Sequence, residues 1–278
     1  MPNPIVDPLV EVPDTSPTSD LVRIEATVAG AVTVTMNRAA RKNAFDADLI
    51  SALSEAFEDL RGAEGVRVVF LKGAGGTFSA GADLDWMRQA ADRTEADNRA
   101  DAMALATMLK RLWDLPALTV ALVEGAAFGG GAGLVAACDL AVATAAARFS
   151  FSEVKLGLIP AVVSPYVVCA VGARAARGLF ATGRQFDAAE AQRLGLVSEV
   201  AADAAALKSA HDRIAREAMA CAPDAVAQAK ALVDRVAGRP IDRELMEETA
   251  RLIAAIRVSE EGQEGVRAFL ERRNPNWT

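Results

Sequence analysis

Two short stretches rich in glycine and alanine follow apolar, β-branched runs and carry backbone groups that could bind an oxyanion. Residues 80–83 (Ala-Gly-Ala-Asp) come after the run 66–71, and residues 125–133 (Gly-Ala-Ala-Phe-Gly-Gly-Gly-Ala-Gly) come after the run 118–123. Small side chains leave backbone N–H groups open to close approach by a ligand, and an N–H at a helix N-terminus carries partial positive charge. Two such turns, brought together, would stabilise one developing oxyanion from two sides. Tight turns without a ligand are the alternative interpretation.

Few other side chains suit nucleophilic or metal chemistry. His211 is the single histidine and lies in a charged, helix-like segment, so a Ser–His–Asp or Cys–His catalytic unit is not predicted. Cys138, Cys169 and Cys221 are widely spaced and form no Cys-x-x-Cys pair. This spacing favours buried free thiols in a reducing, cytoplasmic compartment and no metal site. Acid–base chemistry is therefore left to carboxylates, lysines, water and Tyr166.

The composition is that of an acidic globular protein. Of the 278 residues, 52% are hydrophobic and 24% are charged, which is ordinary for a chain that buries a large core. The net charge of −7 argues against nucleic acid or an anionic membrane as a partner, and no apolar run reaches the roughly 18 to 20 residues of a membrane span. Residues 1–20 contain several prolines among acidic and hydroxyl residues, so we expect a disordered leader rather than a secretion signal.

Apolar periodicity predicts an α/β arrangement between residues 21 and 200. Short β-branched runs at 32–36 and 66–71 alternate with helical patterns at 46–61 and 98–114. The run 118–123 is apolar throughout, as expected for a strand covered on both faces. Further strand candidates are 140–143 and 196–200.

After residue 201 the strand pattern ends, and the remaining chain reads as helical. The segments 201–278 and 21–200 are therefore predicted as an α-helical C-terminal region and an α/β core. The apolar stripes of the tail must be covered, either by the core of the same chain or by a sister subunit. Helices are predicted at 204–221, 223–236, 241–258 and 260–272.

Five motifs in order make the chain similar to the crotonase (enoyl-CoA hydratase/isomerase) superfamily from about residue 21 to the C-terminus. The resemblance implies an α/β spiral of β-β-α units whose C-terminal helices mediate trimerisation, as a homotrimer or a dimer of trimers. It implies an acyl-CoA thioester substrate, with coenzyme A as part of that substrate and no metal or other cofactor. The motifs are Asn37-Arg38 with Asn43-Ala44, residues 77–84, residues 123–139, residues 149–160, and Gly195-Leu196-Val197.

The resemblance also implies catalytic roles. The thioester carbonyl oxygen would lie between the backbone N–H groups of Ala82 and Gly130, and Glu153 would be the acid and base. Negative charge moves onto that oxygen as the α- and β-carbons react, and two preorganised donors stabilise it. Apolar surroundings near the Phe/Ser-rich run before Glu153 would raise the pKa of its carboxyl group. A purely structural, ion-paired Glu153 is the alternative.

By the same resemblance, other residues line the coenzyme A or the acyl group. Arg41 lies in the loop similar to the one along coenzyme A and is expected near a phosphate, although a solvated basic turn fits it as well. Phe269 and Arg272 fall where the family offers residues of a neighbouring subunit to the adenine end. The remaining binding candidates are Ala44, Ala80, Asp83, Leu84, Gly129 and Gly133.

Position 133 departs from the two-glutamate pattern of family hydratases, because Gly133 stands where the first glutamate falls. Three functions stay open. The protein could hydrate with Glu153 alone or with a second acid from elsewhere, such as Asp85 or Glu124. It could be a Δ3,Δ2-enoyl-CoA isomerase, which needs one base, or a non-catalytic acyl-CoA-binding or assembly protein.

Three segments, residues 82–87, 128–135 and 152–167, are similar to methylglutaconyl-CoA and isohexenylglutaconyl-CoA hydratases. This similarity favours hydration of a substrate that carries a carboxylate besides its thioester. We expect Gly133 to leave room in which that carboxylate takes over the role of the absent glutamate. Lys155 and Arg88 are candidates to bind it, against the alternative that both are solvated surface charges.

Overall fold

A parallel sheet with one antiparallel edge strand forms the centre of the fold. The computed structural model describes residues 20–28 and 30–277, so the predicted leader lies outside the described residues except for Asp20. Parallel pairing runs through the sheet except between its first two strands, which are antiparallel. In spatial order the strands are β1 (Val22–Val28), β2 (Ala31–Met36), β3 (Val68–Gly73), β4 (Leu118–Val123), β6 (Leu140–Thr144) and β9 (Glu199–Ala201).

A second, small sheet lies beside the main one and carries the Gly-rich segment. It consists of β5 (Ala126–Phe128), β7 (Arg148–Ser150) and β8 (Gln185–Asp187), with β5 parallel and β8 antiparallel to β7. Two isolated bridges, Phe45↔Ala82 and Ser79↔Ala127, link other segments to this region. The end of β5 is thereby brought next to the turn at residues 80–83.

Ten α-helices occur in the described part of the chain. The first six surround the sheets and the last four make up the tail. They are α1 (Ala47–Gly62), α2 (Leu84–Ala91), α3 (Glu95–Trp113), α4 (Gly130–Ala137), α5 (Ser164–Thr182), α6 (Ala188–Leu194), α7 (Ala204–Met219), α8 (Pro223–Val236), α9 (Arg243–Val258) and α10 (Glu260–Glu271).

The helix boundaries follow from local capping chemistry. In α1 the Asp46 carboxylate accepts a hydrogen bond from Leu49 N, which satisfies one of the unpaired N–H groups at a helix start. The same helix buries Leu53 and Phe57 on the face predicted from their spacing. In α3 a capping box between Thr94 and Asp97 starts the helix three residues before the predicted position.

Several predictions agree with the structure and others do not. The strand 118–123 and the helix 223–236 have the predicted boundaries. The strand predicted at 196–200 is wrong in its first half, since Gly195 (φ 88°) ends α6 and strand pairing begins only at Glu199. The prediction of buried thiols is wrong for Cys169 and Cys221, which are exposed, and Cys138 is partly exposed; all three are free. His211 packs its ring on Phe70, with centroids 4.0 Å apart.

The tail folds partly back on its own core. No described strand follows Ala201, and α7 buries Leu207 and Ile214 against the main sheet. Lys230 of α8 donates from Nζ to the carbonyl oxygens of Leu115 and Ala117, each at 2.7 Å. The division into a core and a helical region remains a prediction. Among the described residues, no helix combines the length and the apolar character that a membrane span requires.

Candidate active site

The two Gly/Ala-rich turns lie in contact. Ser79 N donates to Ala126 O at 2.9 Å, and Phe128 N donates to Ser79 O at 3.0 Å. A Cβ placed on Gly81 would lie 3.2 Å from Phe128 O, so the backbones are at van der Waals distance. Gly81 has a φ of 94°, in the region that favours glycine. Segments more than forty residues apart in sequence thus form one surface.

The Ala82 N–H points into that surface. Gly81 O accepts a hydrogen bond from Phe45 N at 2.7 Å. In a trans peptide the C=O and the following N–H point in opposite directions, so Ala82 N–H is directed away from Phe45. Asp83 N donates to Phe45 O at 2.8 Å, which fixes the peptide between Ala82 and Asp83 as well. Ala82 itself is exposed and is accessible to a ligand.

The Gly130 N–H projects from the N-terminus of α4. Gly129 O accepts from Gly133 N at 3.0 Å inside the helix, so by the same trans geometry Gly130 N–H points outward from the helix end. Gly129 precedes the helix with a φ of 49°, and its own N–H is held by Ser150 O at 2.9 Å. Gly130 is thus left with an N–H at the positive end of a helix, where charge attracts anions.

Glu153 places a carboxyl group beside these turns. It begins the 3-10 turn Glu153–Leu156, and a Cβ on Gly129 would lie 3.2 Å from Glu153 Oε1 and 4.0 Å from Gly81 Cα. Glu153 Oε2 is buried without a hydrogen-bond partner. Burial raises the pKa of the carboxyl group above its usual range, and the hydrogen bond from its own backbone lowers it by less. A raised pKa makes a carboxyl group a stronger base, which suits proton transfer.

Position 133 is closed by a neighbouring side chain. A Cβ on Gly133 would lie 2.2 Å from Val163 Cγ1 and 2.8 Å from Val163 Cβ, far inside contact distance. Val163 is 3% exposed and packs in the core. The expectation that Gly133 leaves room is therefore wrong, because the side chain of Val163, the N-cap residue of α5, fills that volume.

Asp83 faces the protein interior. It is 4% exposed, its Oδ1 accepts from Asp85 N at 2.8 Å, and its Oδ2 accepts from Arg38 Nη1 at 2.8 Å. Burial raises the pKa of Asp83, but the hydrogen bonds from Asp85 N–H, Arg38 and Trp86 N–H outweigh it and hold the pKa below its usual range. The carboxylate thus caps α2 and pairs with a cation rather than facing the open surface of the site.

Arg38 and Asn43 have a structural role beside the candidate site that the sequence reasoning missed. Asn43 is fully buried; its side-chain oxygen accepts from Arg38 N at 2.9 Å, and its amide donates to Thr77 O at 2.6 Å. Their motif was assigned to the loop along coenzyme A. One feature of the sequence could have indicated this role. Asp83 directly follows the predicted donor Ala82, and its carboxylate could pair with a polar residue of the motif that contains Arg38 and Asn43.

The remaining candidates for coenzyme A binding differ in how far they are exposed to solvent. Arg41 is exposed and lies 3.3 Å from Asp85. Ala44 is buried, with its carbonyl held by Arg38 at 2.9 Å. Ala80 is partly buried and bonds through its N–H to Lys42 O at 2.9 Å. Leu84, the first residue of α2, is 67% exposed.

The structure places other candidates away from Glu153 or on the surface. Phe269 and Arg272 lie at the end of α10, which packs mainly on α8 and α9, and Phe269 is 81% exposed. Arg88 is exposed and paired with Asp85 at 2.5 Å, and Lys155 is exposed on the 3-10 turn that carries Glu153. The described residues contain no cluster of three or more His, Cys, Asp or Glu side chains that could hold a metal ion.

Comparison with known proteins gives consistent matches over nearly the whole chain. A model of the enoyl-CoA hydratase/isomerase family matches residues 26–278. Enoyl-CoA hydratase AKT6-1 of Alternaria alternata is 32% identical over 252 residues, which are 90% of this chain and 82% of that protein. The crystal structure of an enoyl-CoA hydratase from Shewanella pealeana is 40% identical with a TM-score of 0.89, and covers 92% of this chain and 96% of its own. Pseudomonas aeruginosa AtuE is 36% identical with a TM-score of 0.88, over 92% of this chain and 99% of its own.

Proposed function

Because the chain belongs to the enoyl-CoA hydratase/isomerase family, we propose that it hydrates an α,β-unsaturated acyl-CoA thioester reversibly. Ala82 and Gly130 are the oxyanion-hole donors, and Glu153 is the acid and base. The observation that carries this proposal is the Glu153 carboxyl group, which lies against Gly129 with one oxygen buried and unpartnered. A buried oxygen without a partner is costly, and a water or substrate hydrogen would satisfy it.

The reaction requires two proton transfers, to and from Glu153, and the stabilisation of one charge. Ionised Glu153 orients a water molecule and accepts its proton while the hydroxyl oxygen bonds to the β-carbon. The electron pair of the double bond moves to the α-carbon and the thioester oxygen, where Ala82 N–H and Gly130 N–H stabilise the enolate. Glu153 then returns the proton to the α-carbon, so that one water has been added and the carboxylate is regenerated.

The acyl group that we propose is a methylglutaconyl-type group with a second carboxylate. The support for this is the resemblance of residues 82–87, 128–135 and 152–167 to hydratases of such substrates. Because residue 133 is a glycine and offers no carboxyl group, the substrate carboxylate assists Glu153 in orienting the water, from outside the volume that Val163 fills. Lys155 has no ion pair among the described residues and is two positions from Glu153, so it is the better-placed cation to bind that carboxylate than the paired Arg88.

Isomerisation between Δ3 and Δ2 double bonds is the second candidate function. One carboxyl group is sufficient to move a proton between two carbons, and the same oxyanion hole stabilises the dienolate. Gly133, which packs on the apolar Val163 and offers no second carboxyl group, favours this candidate, because isomerisation needs no second group to hold a water.

Isotope tracing separates the two reactions. Purified protein is given crotonyl-CoA, 3-hexenoyl-CoA or 3-methylglutaconyl-CoA in ¹⁸O-labelled water, and the products are analysed by mass spectrometry. Label in a 3-hydroxyacyl product, formed fastest from the dicarboxylate, is the expected result. Equal hydration of crotonyl-CoA would contradict the role of the substrate carboxylate. Conversion of 3-hexenoyl-CoA to 2-hexenoyl-CoA without label would contradict hydration altogether. Glu153→Gln is the control for background reaction.

We also propose a homotrimer or a dimer of trimers without a resident metal or redox cofactor. The tail exposes large apolar side chains, including Ile241 (87%), Val258 (77%) and Phe269 (81%), and such residues mark contact surfaces when they cluster. Light scattering during size-exclusion chromatography is expected to give three or six times the chain mass of 29.1 kDa. A monomer at micromolar concentration would contradict the proposal.

A further inference from the structure

A buried carboxylate is attached directly to one of the two proposed oxyanion donors. Asp83 follows Ala82, is 4% exposed, and uses both of its oxygens. Oδ1 accepts from the backbone N–H groups of Asp85 at 2.8 Å and Trp86 at 3.4 Å, and Oδ2 accepts from Arg38. The residue after the donor is therefore held by its side chain as well as by its backbone.

The Arg38 guanidinium connects this carboxylate to a second segment. Its Nη1 donates to Asp83 Oδ2 at 2.8 Å and to Ala44 O at 2.9 Å, and its Nη2 pairs with Asp46 Oδ2 at 2.6 Å. Phe45, between these two partners, makes the two backbone hydrogen bonds that flank Ala82. One planar cation thus joins both sides of the Phe45–Ala82 bridge.

The donor needs such support because its other neighbour is flexible. Gly81 has a φ of 94°, and glycine resists rotation away from such a conformation less than other residues do. The direction of Ala82 N–H depends on the 81–82 peptide plane, which Phe45 N holds through Gly81 O, while Phe45 O holds the next peptide through Asp83 N. Loss of the side-chain links would leave each of these two peptides with one backbone hydrogen bond to Phe45.

We propose that Arg38 is a positioning residue, which aims the Ala82 N–H at the thioester oxygen through its ion pair with Asp83. The inference rests on the proposed function, since it takes Ala82 as an oxyanion donor. Both terminal nitrogens of Arg38 are bonded to protein oxygens, of Ala44, Asp83 and Asp46, so Arg38 acts through these residues. Its effect is on the transition state, because donors act there only when their geometry is preorganised.

A matched pair of variants tests the inference. Asp83→Asn and Asp46→Asn each remove one of the two carboxylates that pair with Arg38. Asp83 and Asp46 are both N-cap residues, of α2 and α1, and asparagine caps a helix about as well as aspartate. Only Asp83 is adjacent to Ala82, so only Asp83→Asn is expected to disturb the donor. Arg38→Lys is the third variant, because lysine keeps the charge but cannot hold Asp83, Ala44 and Asp46 at once.

Two measurements separate positioning from stability. For Asp83→Asn and Arg38→Lys, we expect kcat to fall by about 10- to 100-fold with little change in the Kd of free coenzyme A, while Asp46→Asn keeps kcat within about 2-fold of the parent. The ultraviolet band of a bound cinnamoyl-CoA moves to longer wavelength when its carbonyl is polarised. That shift is expected to shrink in Asp83→Asn and to stay at the parental value in Asp46→Asn.

The outcomes distinguish failure of the inference from failure of the function. If Asp83→Asn and Asp46→Asn give the same kcat and the same band, the ion pair only stabilises the fold and the inference is wrong. If the parent protein neither shifts the band nor turns over any of the three enoyl-CoA substrates, the proposed function is wrong. Thermal denaturation of all variants shows whether lost activity reflects unfolded protein, and equal Tm with unequal kcat supports positioning.

Discussion

Val163 Cγ1 occupies the space next to Gly133, so that a Cβ at position 133 would lie only 2.2 Å from it. The two residues come from different helical segments, α4 and the turn before α5. Their fit fills this contact between α4 and α5 with hydrocarbon. A side chain added at position 133 would therefore compete with Val163 for the same space.

Gly133→Ala is expected to destabilise the protein by about 1–3 kcal/mol, because the added methyl group overpacks the contact with Val163. Val163→Ala leaves a cavity and costs a similar amount, about 1–3 kcal/mol. The double variant Gly133→Ala/Val163→Ala is expected to lose less free energy of unfolding than the two single variants together, since the added methyl group fills the space that the smaller residue 163 leaves. Urea denaturation of the four proteins measures this coupling. Strict additivity would show that the two side chains do not compete for one volume.

Glu153→Gln is expected to lower kcat by about 10²- to 10⁴-fold, the usual contribution of an acid–base group. It is also expected to raise stability at neutral pH. Burial raises the pKa of Glu153 in the folded state, so the folded protein binds more protons than the unfolded chain, and stability falls as the pH rises from about 4.3 through the raised pKa. The glutamine variant lacks this loss.

The check is the free energy of unfolding of both proteins between about pH 4 and pH 8. The difference in favour of Glu153→Gln should grow with pH and then level off. A difference that is constant over this range would mean that Glu153 titrates normally in the folded protein. Loss of stability in the variant would support the structural interpretation of this residue.

Gly129→Ala is expected to lower kcat by displacing the acid–base carboxyl group. The new Cβ would lie 3.2 Å from Glu153 Oε1, and the backbone has a φ of 49°. Gly238→Ala is the matched control, because its φ is 73° and nothing lies within 4 Å of the added Cβ. Both variants place an alanine at a positive φ and carry a backbone strain of roughly 1–3 kcal/mol, and only Gly129→Ala should change the pH dependence of kcat. Identical pH profiles would argue against contact with Glu153.

Lys230→Met is expected to destabilise the protein by roughly 2–4 kcal/mol, because it leaves two carbonyl oxygens and the Asp139 carboxylate without their cation. The Lys230 side chain is 19% exposed and lies 2.7 Å from Asp139 Oδ2. The control Lys208→Met removes a pair with Asp212 whose lysine is 75% exposed, and such pairs contribute about 0–1 kcal/mol. Urea denaturation compares them. Equal effects would show that α8 is not anchored through Lys230.

The elements that the sequence predicted well are those whose signals are local. The run 118–123 is apolar throughout and gives a strand with the predicted ends, and Pro223 marks the start of α8 as expected of proline at a first helical position. Strands β5, β7 and β8 were not predicted. Each has three residues, which are too few to show the alternating apolar and polar pattern of a strand.

The two backbone turns and the Glu153 carboxyl group of the candidate site were predicted, but the side-chain contacts around them were not. Small residues after two strands pointed to the contact between Gly81 and Phe128. By contrast, the packing of the Val163 side chain into the space beside Gly133 depends on how α5 packs on α4. The two residues are thirty positions apart in sequence. The pairing of Arg38 with Asp83 likewise spans 45 positions, and no periodicity in a single sequence encodes such a contact.

The polarising half of the proposed site consists of peptide groups, and this affects how the protein tolerates mutation. A peptide N–H is not encoded by any particular codon, so almost every substitution at Ala82 or Gly130 leaves the donor atom in place, proline excepted. The proton-transferring half, by contrast, depends on one carboxylate that a single nucleotide change can remove. A lineage built on this scaffold can therefore lose or exchange its proton chemistry quickly while it keeps the ability to stabilise an enolate.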